Sequence, residues 1–483
     1  MRKISTIYCV LFSFLLAASC SDFLNEKPRD KVYPASAEDF NELLAGEGYM
    51  NVTKGNDIRL WVHLMDDDVL FEATTHHRPS ADGVAPMPFY WWEPEVNTES
   101  TWKTLYQRIS IMNVILSEID EFRDEPGDTY RRVKGEAYFL RAAYYYFLVN
   151  IYAKPYHPQH SLTDPGVPLK LDPVVLDKQY ARDPVKACYD QIVSDLEAAV
   201  SHLEGLTSAT TYRAGVMAAR LLLSRVHLYM GNWEEVVRQC DAVLADRSYH
   251  LLDFNGFEPL AAVNAVWAKS PETIFSNGRN YSSFFVLRTA SGDNLRFYFR
   301  GSDEILSLYG SGDLRKEYFF RRDNSWFPQK STDDYDGSDF FMLRLPEAYL
   351  NKAEALVCLG RDAEAVPLIR ALREKRLKEG TPGEITATGE ELLNIVRDER
   401  RREFTFEGHR WFDLRRNAVH PKWPFQKEIR HPYYVLSEVV GDIVLGKYDD
   451  DRAYYVMPVP EFEIALSGGV MVQNEKRVLK TAE

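Results

Sequence analysis

The stretch RDERRREFTFEGHRWFDLRR, residues 397–416, combines a high density of charge with aromatic residues. Its glutamates and arginines alternate at helical spacing, which brings opposite charges together on one face of a helix. Such a pattern could supply the acid and the base of a catalytic site, but it more often forms a structural network of ion pairs. We therefore predict that Glu399, Arg400, Glu403 and Glu407 hold the carboxy-terminal region to a helical scaffold.

Four patterns nearer the amino end predict helices. Ser36 and Asp39 form a capping box that opens a helix through about Gly46. The other three patterns are a one-sided series at Trp102, Tyr106, Ile109 and Asn113, an aromatic-rich run over 131–153, and an apolar stripe that begins with Asp183 as N-cap and Pro184 at the first helical position.

The segment LLLSRVHLYMGNWEEVVRQCDAVL, residues 221–244, is repeated as LNKAEALVCLGRDAEAVPLIRALR at residues 350–373. The two copies align on Gly231 and Gly360, each of which ends a predicted first helix. Helix, glycine and second apolar helix together are typical of a tetratricopeptide (TPR) hairpin. The copies begin 129 residues apart, so a large insert separates them.

Two segments lack helical periodicity and carry many aromatic residues. One is the insert itself, at about 246–342, which is rich in Asn, Ser, Gly and Asp. The other is THHRPSADGVAPMPFYWWEPE, residues 75–95, in which four aromatic residues follow one another between prolines. Loop-rich stretches of this kind more often carry function than structure.

The amino terminus has the pattern of a secretory signal. Arg2 and Lys3 precede an uncharged run over residues 4–18, and small residues stand directly before Cys20. A cysteine at the new terminus predicts a bacterial lipoprotein that is lipidated on Cys20; ordinary secretion or an unprocessed helix are the alternatives. Three acyl chains would anchor such a protein stably to a membrane.

Net charge and cysteine content restrict the classes of function that are expected for this protein. Removal of residues 1–19 takes the net charge from -14 to -16, because that segment holds two basic and no acidic residues. This balance disfavours nucleic acid and anionic lipid surfaces as partners. Beyond Cys20 only Cys188, Cys240 and Cys358 remain, an odd number that indicates no disulfide framework.

Taken together, these motifs resemble the SusD/RagB family of outer-membrane lipoproteins. Cys20 is followed by Asp22, Phe23, Leu24 and Pro28, as at the start of that family, and residues 397–416 carry its Glu-Arg-Arg, Phe-Glu-Gly and Trp-Phe-Asp-Leu elements. The carboxy-terminal signature of the family is matched by Met457 to Pro460, Glu463, Ile464, Gln473 and Asn474. The resemblance runs from Cys20 to about Asn474.

The resemblance implies a mainly α, SusD-like fold, with a TPR-type helical hairpin scaffold and a loop-rich, mixed second region. It also implies a non-catalytic surface protein without a cofactor, which captures oligosaccharides or polysaccharides, or in some branches peptides, for a SusC-like TonB-dependent transporter. Polysaccharide utilisation at the cell outer membrane, on a lipid anchor, is the usual setting of the family.

We accordingly expect a signal peptide at 1–19, a lipid-anchored linker at 20–35 and a SusD-like body at 36–483. The expected parts of the body are TPR-type helices within about 100–245 and 343–415, loop-rich ligand-facing segments at about 60–100 and 246–342, and a carboxy-terminal family segment at 416–483.

Candidate ligand-binding residues follow from the chemistry of sugars. A sugar presents flat C–H faces and hydroxyl edges, so its binder needs exposed aromatic rings beside a few polar groups. The loop-rich segments supply as candidates Tyr90, Trp91 and Trp92 as platforms, Arg78 and Asn97 as nearby polar groups, and Tyr281, Tyr298 and Trp326 from the insert. The alternative for each ring is that it packs the loop onto the scaffold.

Other functions find weaker support. No metal site is predicted: His76 and His77 lack a metal-ligand pattern around them, and Asp334, Asp336 and Asp339 have only part of the spacing of a calcium loop. A secreted glycoside hydrolase could use two of the many carboxylates, although no nucleophile motif is present. A third alternative is a structural partner whose aromatic loops seal a transporter and never contact ligand.

Overall fold

The computed structural model describes residues 34–50, 61–72, 87–174, 178–208, 210–257, 265–278, 286–288, 295–297, 299–322, 325–330, 338, 341–381, 383–435 and 438–483. Within these ranges the fold is mainly helical. No helix in this part of the chain is both long and apolar enough to cross a bilayer.

The α-helices of the described residues are α1 Ala37–Leu43, α2 Met87–Tyr90, α3 Glu99–Glu118, α4 Thr129–Tyr152, α5 Val185–Leu203, α6 Val216–Met230, α7 Trp233–Ala245, α8 Asp303–Leu308, α9 Arg315–Phe319, α10 Leu345–Cys358, α11 Asp362–Glu374, α12 Gly389–Phe404, α13 Arg410–Ala418 and α14 Glu461–Leu466. A π-helical turn at Leu44–Gly48 extends α1. Short 3-10 helices lie at Trp61–Leu64, Ile119–Phe122, His160–Leu162 and Arg452–Tyr455.

The predicted helix starts are confirmed in one case and corrected in another. The Ser36 side chain accepts a hydrogen bond from the Asp39 amide, as the capping box predicts. Helix α5 begins at Val185 with Pro184 as its N-cap, so the prediction that Asp183 caps this helix is wrong. The Asp183 carboxylate instead accepts a hydrogen bond from the Leu169 amide at 2.7 Å, which ties it to the preceding loop.

Both repeats fold as helical hairpins, α6 with α7 and α10 with α11. Gly231 and Gly360 follow the first helix of each pair with φ of 77° and 74°, a left-handed conformation that side chains with a Cβ rarely adopt. Although a large insert separates the hairpins in sequence, α10 packs against both α7 and α6. The insert therefore does not interrupt the packing of the two hairpins against each other.

Buried polar contacts hold the two hairpins in register. The Arg225 guanidinium of α6 donates to both carboxylate oxygens of Glu347 on α10, at 2.5 and 2.7 Å. One turn further on, the Asn351 amide donates to the Ser224 hydroxyl at 3.1 Å. Cys188, Cys240 and Cys358 are buried free thiols, in agreement with the prediction of no disulfide among them.

The strands are short and pair in twos. They are β1 Val69–Phe71, β2 Thr273–Ser276, β3 Val286–Arg288, β4 Leu295–Phe297, β5 Phe299–Gly301, β6 Phe320–Arg322, β7 Trp326–Pro328, β8 Met342–Arg344, β9 Ile429–Val435 and β10 Glu438–Leu445. The antiparallel pairs in the part of the chain described are β1 with β5, β2 with β8, β3 with β4, β6 with β7, and β9 with β10.

A second, smaller hydrophobic core unites the two loop-rich segments. Leu64, Val69 and Phe71 from the amino-terminal segment pack with Phe299 and Phe320 of the insert. The pairing of β1 with β5 joins the same segments through their backbones. The two segments are therefore one structural region, which lies against the helical scaffold.

The predicted ion-pair network is confirmed, but its main partners differ from those expected. Glu403 of α12 pairs with Arg315, Arg344 and Arg376, and Glu407 pairs with Arg344. Arg315 belongs to the insert, and Arg344 ends β8 directly after it, so these carboxylates join the insert to the scaffold.

Arg400 behaves as predicted. Its guanidinium pairs with Asp413 of α13 at 2.9 Å, and Arg416 of α13 also pairs with Asp413, at 2.7 Å, and with Glu354 of α10. This half of the network holds the start of the carboxy-terminal region to the hairpin scaffold.

Candidate functional site

A cleft opens at the edge of the second core, where β1 ends and pairs with β5. It has a volume of about 430 Å³. Its lining combines aromatic, apolar and charged side chains: Leu70, Phe71, Glu72, Arg300, Asp303, Leu306, Ser325, Trp326, Pro432 and Tyr434. Concave sites that mix aromatic walls with a few polar groups are typical of small-ligand binding.

Three strand pairs position the walls of the cleft. Leu70 lies opposite Arg300 across the β1–β5 pair, and Trp326 lies opposite Arg322 across the β6–β7 pair. The third wall is β9, whose Tyr434 hydroxyl donates a hydrogen bond to the Phe71 carbonyl oxygen at 3.1 Å. Ladder hydrogen bonds thus hold side chains from distant parts of the sequence around one space.

Trp326 and Tyr434 are the aromatic residues of the cleft with exposed surface. Both are half-buried, so part of each side chain remains accessible to a ligand. Two cations lie close to the Trp326 ring: Lys316 Nζ is 5.1 Å and Arg322 Cζ is 5.5 Å from its centre. The predicted candidate Trp326 therefore lies in the cleft.

Arg300 of β5 is the basic residue of the cleft lining. Its guanidinium donates to Asp303 at 3.0 Å and lies 3.8 Å from the Glu72 carboxylate. Guanidinium and carboxylate groups in this arrangement can donate to and accept from the hydroxyls of a ligand. Sequence reasoning missed Arg300, Glu72 and Tyr434, since nothing local marks them; the pairing of β1, β5 and β9 brings them together.

The structure places Tyr90 and Trp92 in the interior, so the prediction that they are exposed platforms is wrong. Both are fully buried, with the imidazole of His431 stacked between them at centroid distances of 4.0 and 4.2 Å. The Trp92 indole also donates to the Met65 carbonyl oxygen at 3.1 Å. These rings pack the amino-terminal segment onto β9.

Trp91 occupies an intermediate position. Its ring is half-buried and meets Tyr433 edge to face at 4.9 Å, and its indole donates to the Pro432 carbonyl oxygen at 3.2 Å. Pro432 also lines the cleft. Trp91 thus supports the β9 wall and stays a candidate for ligand contact.

Asn97 lies away from the cleft. Its side chain accepts a hydrogen bond from the Glu99 amide at 3.0 Å, at the start of α3. It lines a separate groove, together with Pro458 and Glu461. The structure therefore does not bring Asn97 together with Trp326.

The other sequence candidates lie outside the described residues. They are Cys20, His76, His77, Arg78, Tyr281, Tyr298, Asp334, Asp336 and Asp339. Trp326 and the half-buried Trp91 are thus the predicted rings whose position supports a role in binding.

Next to the cleft lies a buried acidic trio, Asp66, Asp67 and Asp68, whose carboxylate oxygens are close enough to hold a metal ion. Asp67 is instead bonded to the Arg410 guanidinium at 2.6 Å and the Lys427 ammonium at 2.6 Å. Burial, followed by the charges of Asp68 and Asp67, raises the pKa of Asp66 well above its ordinary value. We interpret the trio as a junction of ion pairs between the amino-terminal segment and α13.

We expect the stability of the protein to fall as the pH drops from about 6.5 to about 4. Burial lowers the pKa of His420 to about 4 and of His63 to about 3, and His420 Nδ1 accepts hydrogen bonds from two backbone amides, as only an unprotonated nitrogen can. Each ring stays neutral in the fold and takes up a proton when the chain unfolds, so acid favours the unfolded chain. The stability lost per ring is on the order of 3 kcal/mol.

Urea unfolding between pH 7 and pH 4.5 measures this effect, with His420→Gln beside the wild type. The variant should show a shallower dependence of the unfolding midpoint on pH, and the exposed His250→Gln serves as the matched control. Equal slopes in all three proteins would contradict the role of His420.

The fold defines the class of this protein. A scaffold of helical hairpins supports a second region, and that region carries the cleft. Residues 22–228 match the SusD-like family described as "Starch-binding associating with outer membrane", and residues 316–476 match the SusD family, SusD_RagB. The chain belongs to the SusD/RagB family, as its sequence motifs predict.

Relatives and solved structures extend this similarity over nearly the whole chain. SusD-like protein P25 of Formosa agariphila is 22% identical to this chain in an alignment 547 positions long, which covers 96% of this chain and 97% of that protein. A SusD superfamily protein from Bacteroides thetaiotaomicron VPI-5482 superposes with a TM-score of 0.72 at 20% identity, over 92% of this chain and 100% of that one. A laminarin-binding SusD-like protein superposes with a TM-score of 0.65 at 21% identity, over 92% and 99%. The structures share the mainly α, SusD-like fold.

Proposed function

We propose that the protein is a non-catalytic, cell-surface lipoprotein that captures oligosaccharides and passes them to a SusC-like TonB-dependent transporter in the outer membrane. The observation that carries the proposal is the cleft that Trp326 and Tyr434 line together with the Arg300–Glu72–Asp303 cluster. The family description, starch binding in association with the outer membrane, supports the same function.

The chemistry of the cleft suits a sugar. A half-exposed indole offers an apolar face for the C–H groups of a pyranose ring, and the Arg300 cluster offers donors and acceptors for its hydroxyls. A shallow site leaves many hydroxyls in water, so we expect dissociation constants of roughly micromolar to millimolar. Several sugar units can contact the cleft at once, which favours oligosaccharides over monosaccharides.

Trp326→Ala is expected to weaken glycan binding by about tenfold or more, because the indole supplies the main apolar surface of the cleft. Affinity electrophoresis of the purified protein against plant, host and microbial polysaccharides measures the loss. The matched control is Trp233→Ala, which removes a half-buried indole that stacks on His420 in the scaffold at a centroid distance of 5.4 Å. Unchanged retardation of the Trp326→Ala protein by a polymer that retards the wild type would contradict the proposed site.

Lipidation and partnership are tested by fractionation of cells that express a tagged chain. The wild type is expected in the outer-membrane fraction together with a TonB-dependent transporter, and Cys20→Ser is expected in the soluble fraction because it lacks acyl chains. Ser21→Ala is the control for a substitution beside the processing site. A Cys20→Ser protein that stays in the membrane fraction would contradict the lipid anchor, and a wild type that purifies without a transporter would contradict the partnership.

A further inference from the structure

Two cations, Lys316 and Arg322, lie beside the Trp326 ring of the cleft, and no carboxylate of the described residues pairs with either of them. The Lys316 ammonium is 3.5 Å from the Leu306 carbonyl oxygen, at the outer limit of a hydrogen bond. The Arg322 side chain is exposed and contacts the ring of Trp326.

The neighbouring carboxylates are already paired with other cations. Asp303 and Glu72 lie beside Arg300, Glu304 binds Arg401 and Lys427, and Glu317 lies 3.8 Å from Lys378. Within this set of acids, none balances the charges at Trp326. Among the described residues, the surroundings of the Trp326 ring are therefore positively charged, on a chain whose net charge is -14.

The two cations reach the Trp326 ring from different elements of the fold. Arg322 lies opposite Trp326 across the β6–β7 pair, and such cross-strand neighbours often stack. Lys316 comes from α9, and its charge lies within 5.1 Å of the same ring centre. The ring attracts each cation, but two like charges near one ring also repel each other, so an anion that approaches Trp326 from this side is favoured.

We propose that the cleft selects anionic glycans, whose carboxylate or sulfate group binds Lys316 and Arg322 while the sugar ring packs on Trp326. The inference rests on the proposed glycan-binding function and adds the class of ligand. A uronic acid and a sulfated sugar present the same chemistry here, an anionic oxygen group at the edge of a pyranose ring. Guanidinium and ammonium groups bind both kinds of group through charge-assisted hydrogen bonds.

The test is a glycan array that carries uronate, sulfated and neutral oligosaccharides, probed with the purified wild type and the Lys316→Gln/Arg322→Gln variant. The wild type is expected to bind anionic members, and the variant to bind them about tenfold more weakly for each charge removed. Lys269→Gln/Arg370→Gln removes the same charge from two exposed positions elsewhere and serves as the control. Lys316→Arg/Arg322→Lys keeps both charges and should retain binding.

The possible results distinguish a failure of this inference from a failure of the proposed function on which it rests. Binding of uronates or of sulfated sugars, lost in the Gln variant and retained in the control, supports the inference and shows which anion is recognised. Wild-type binding of neutral glycans alone, or equal binding of anionic glycans by the Gln variant, overturns the inference and leaves the glycan-binding function standing. Absence of binding to every member of the array would overturn both.

Discussion

Replacing Glu403 with glutamine is expected to lower the free energy of unfolding by roughly 3–5 kcal/mol, the usual cost of breaking a buried ion pair. The Glu403 carboxylate accepts hydrogen bonds from Arg376 at 3.0 Å, Arg344 at 3.1 Å and Arg315 at 3.3 Å, and all four side chains are buried. Burial alone raises the pKa of Glu403, but Arg376 and Arg344 hold it well below its ordinary value. A neutral amide would leave three buried guanidinium groups without the negative charge of the Glu403 carboxylate.

Urea unfolding followed by circular dichroism at pH 7 measures this loss. The control is Glu364→Gln, which removes a carboxylate from the exposed pair with Arg361 and should leave the midpoint unchanged. Because Glu403 joins the insert to the scaffold, we also expect the Glu403→Gln protein to be cut by protease within 246–342 before the helices are cut. Equal midpoints for the Glu403→Gln and Glu364→Gln proteins would contradict a structural role for Glu403.

The second large effect is expected at Trp92. Substitution by alanine should lower the free energy of unfolding by about 3–5 kcal/mol, as is typical when a large buried ring is removed. The indole is fully buried, stacks on His431 and donates a hydrogen bond to Met65. Its loss would open a cavity between the amino-terminal segment and β9 and leave the Met65 carbonyl oxygen without its donor.

Trp91→Ala provides the comparison, since the neighbouring indole is half-buried and keeps one edge in solvent. We expect this variant to lose about 1–2 kcal/mol, in proportion to the smaller apolar area removed from contact. Thermal unfolding of the two variants side by side measures the difference. If the Trp92→Ala protein were as stable as the wild type but bound glycan less well, the result would instead support direct contact between Trp92 and the ligand.

Several features of the fold were predictable from short stretches of sequence. Ser36 with Asp39 predicts a cap because the contact spans three residues. Gly231 and Gly360 predict helix ends because a left-handed residue favours glycine. Where a distant segment competes, such a signal fails: the Asp183 side chain binds the Leu169 amide in place of its own helix.

The aromatic run around Trp91 shows why the binding site could be predicted only in part from the sequence. Four consecutive rings and flanking prolines predict an irregular segment, but they contain no information on which ring is covered. His431, 341 residues after Tyr90, lies between Tyr90 and Trp92 and buries both. Trp326 was named as a candidate and lines the cleft, whereas Arg300, Glu72 and Tyr434 were missed because each is an ordinary residue in its own strand or turn.

The sequence by itself determined the family, the helical hairpins and the structural nature of the charged block at 397–416, because these depend on motifs, helical periodicity and contacts between near neighbours. The tertiary structure alone decided which aromatic rings are buried, which charged side chains form ion pairs and where the cleft lies. Those properties arise when β1, β5, β7 and β9 meet, and such long-range pairing leaves no local pattern in the chain.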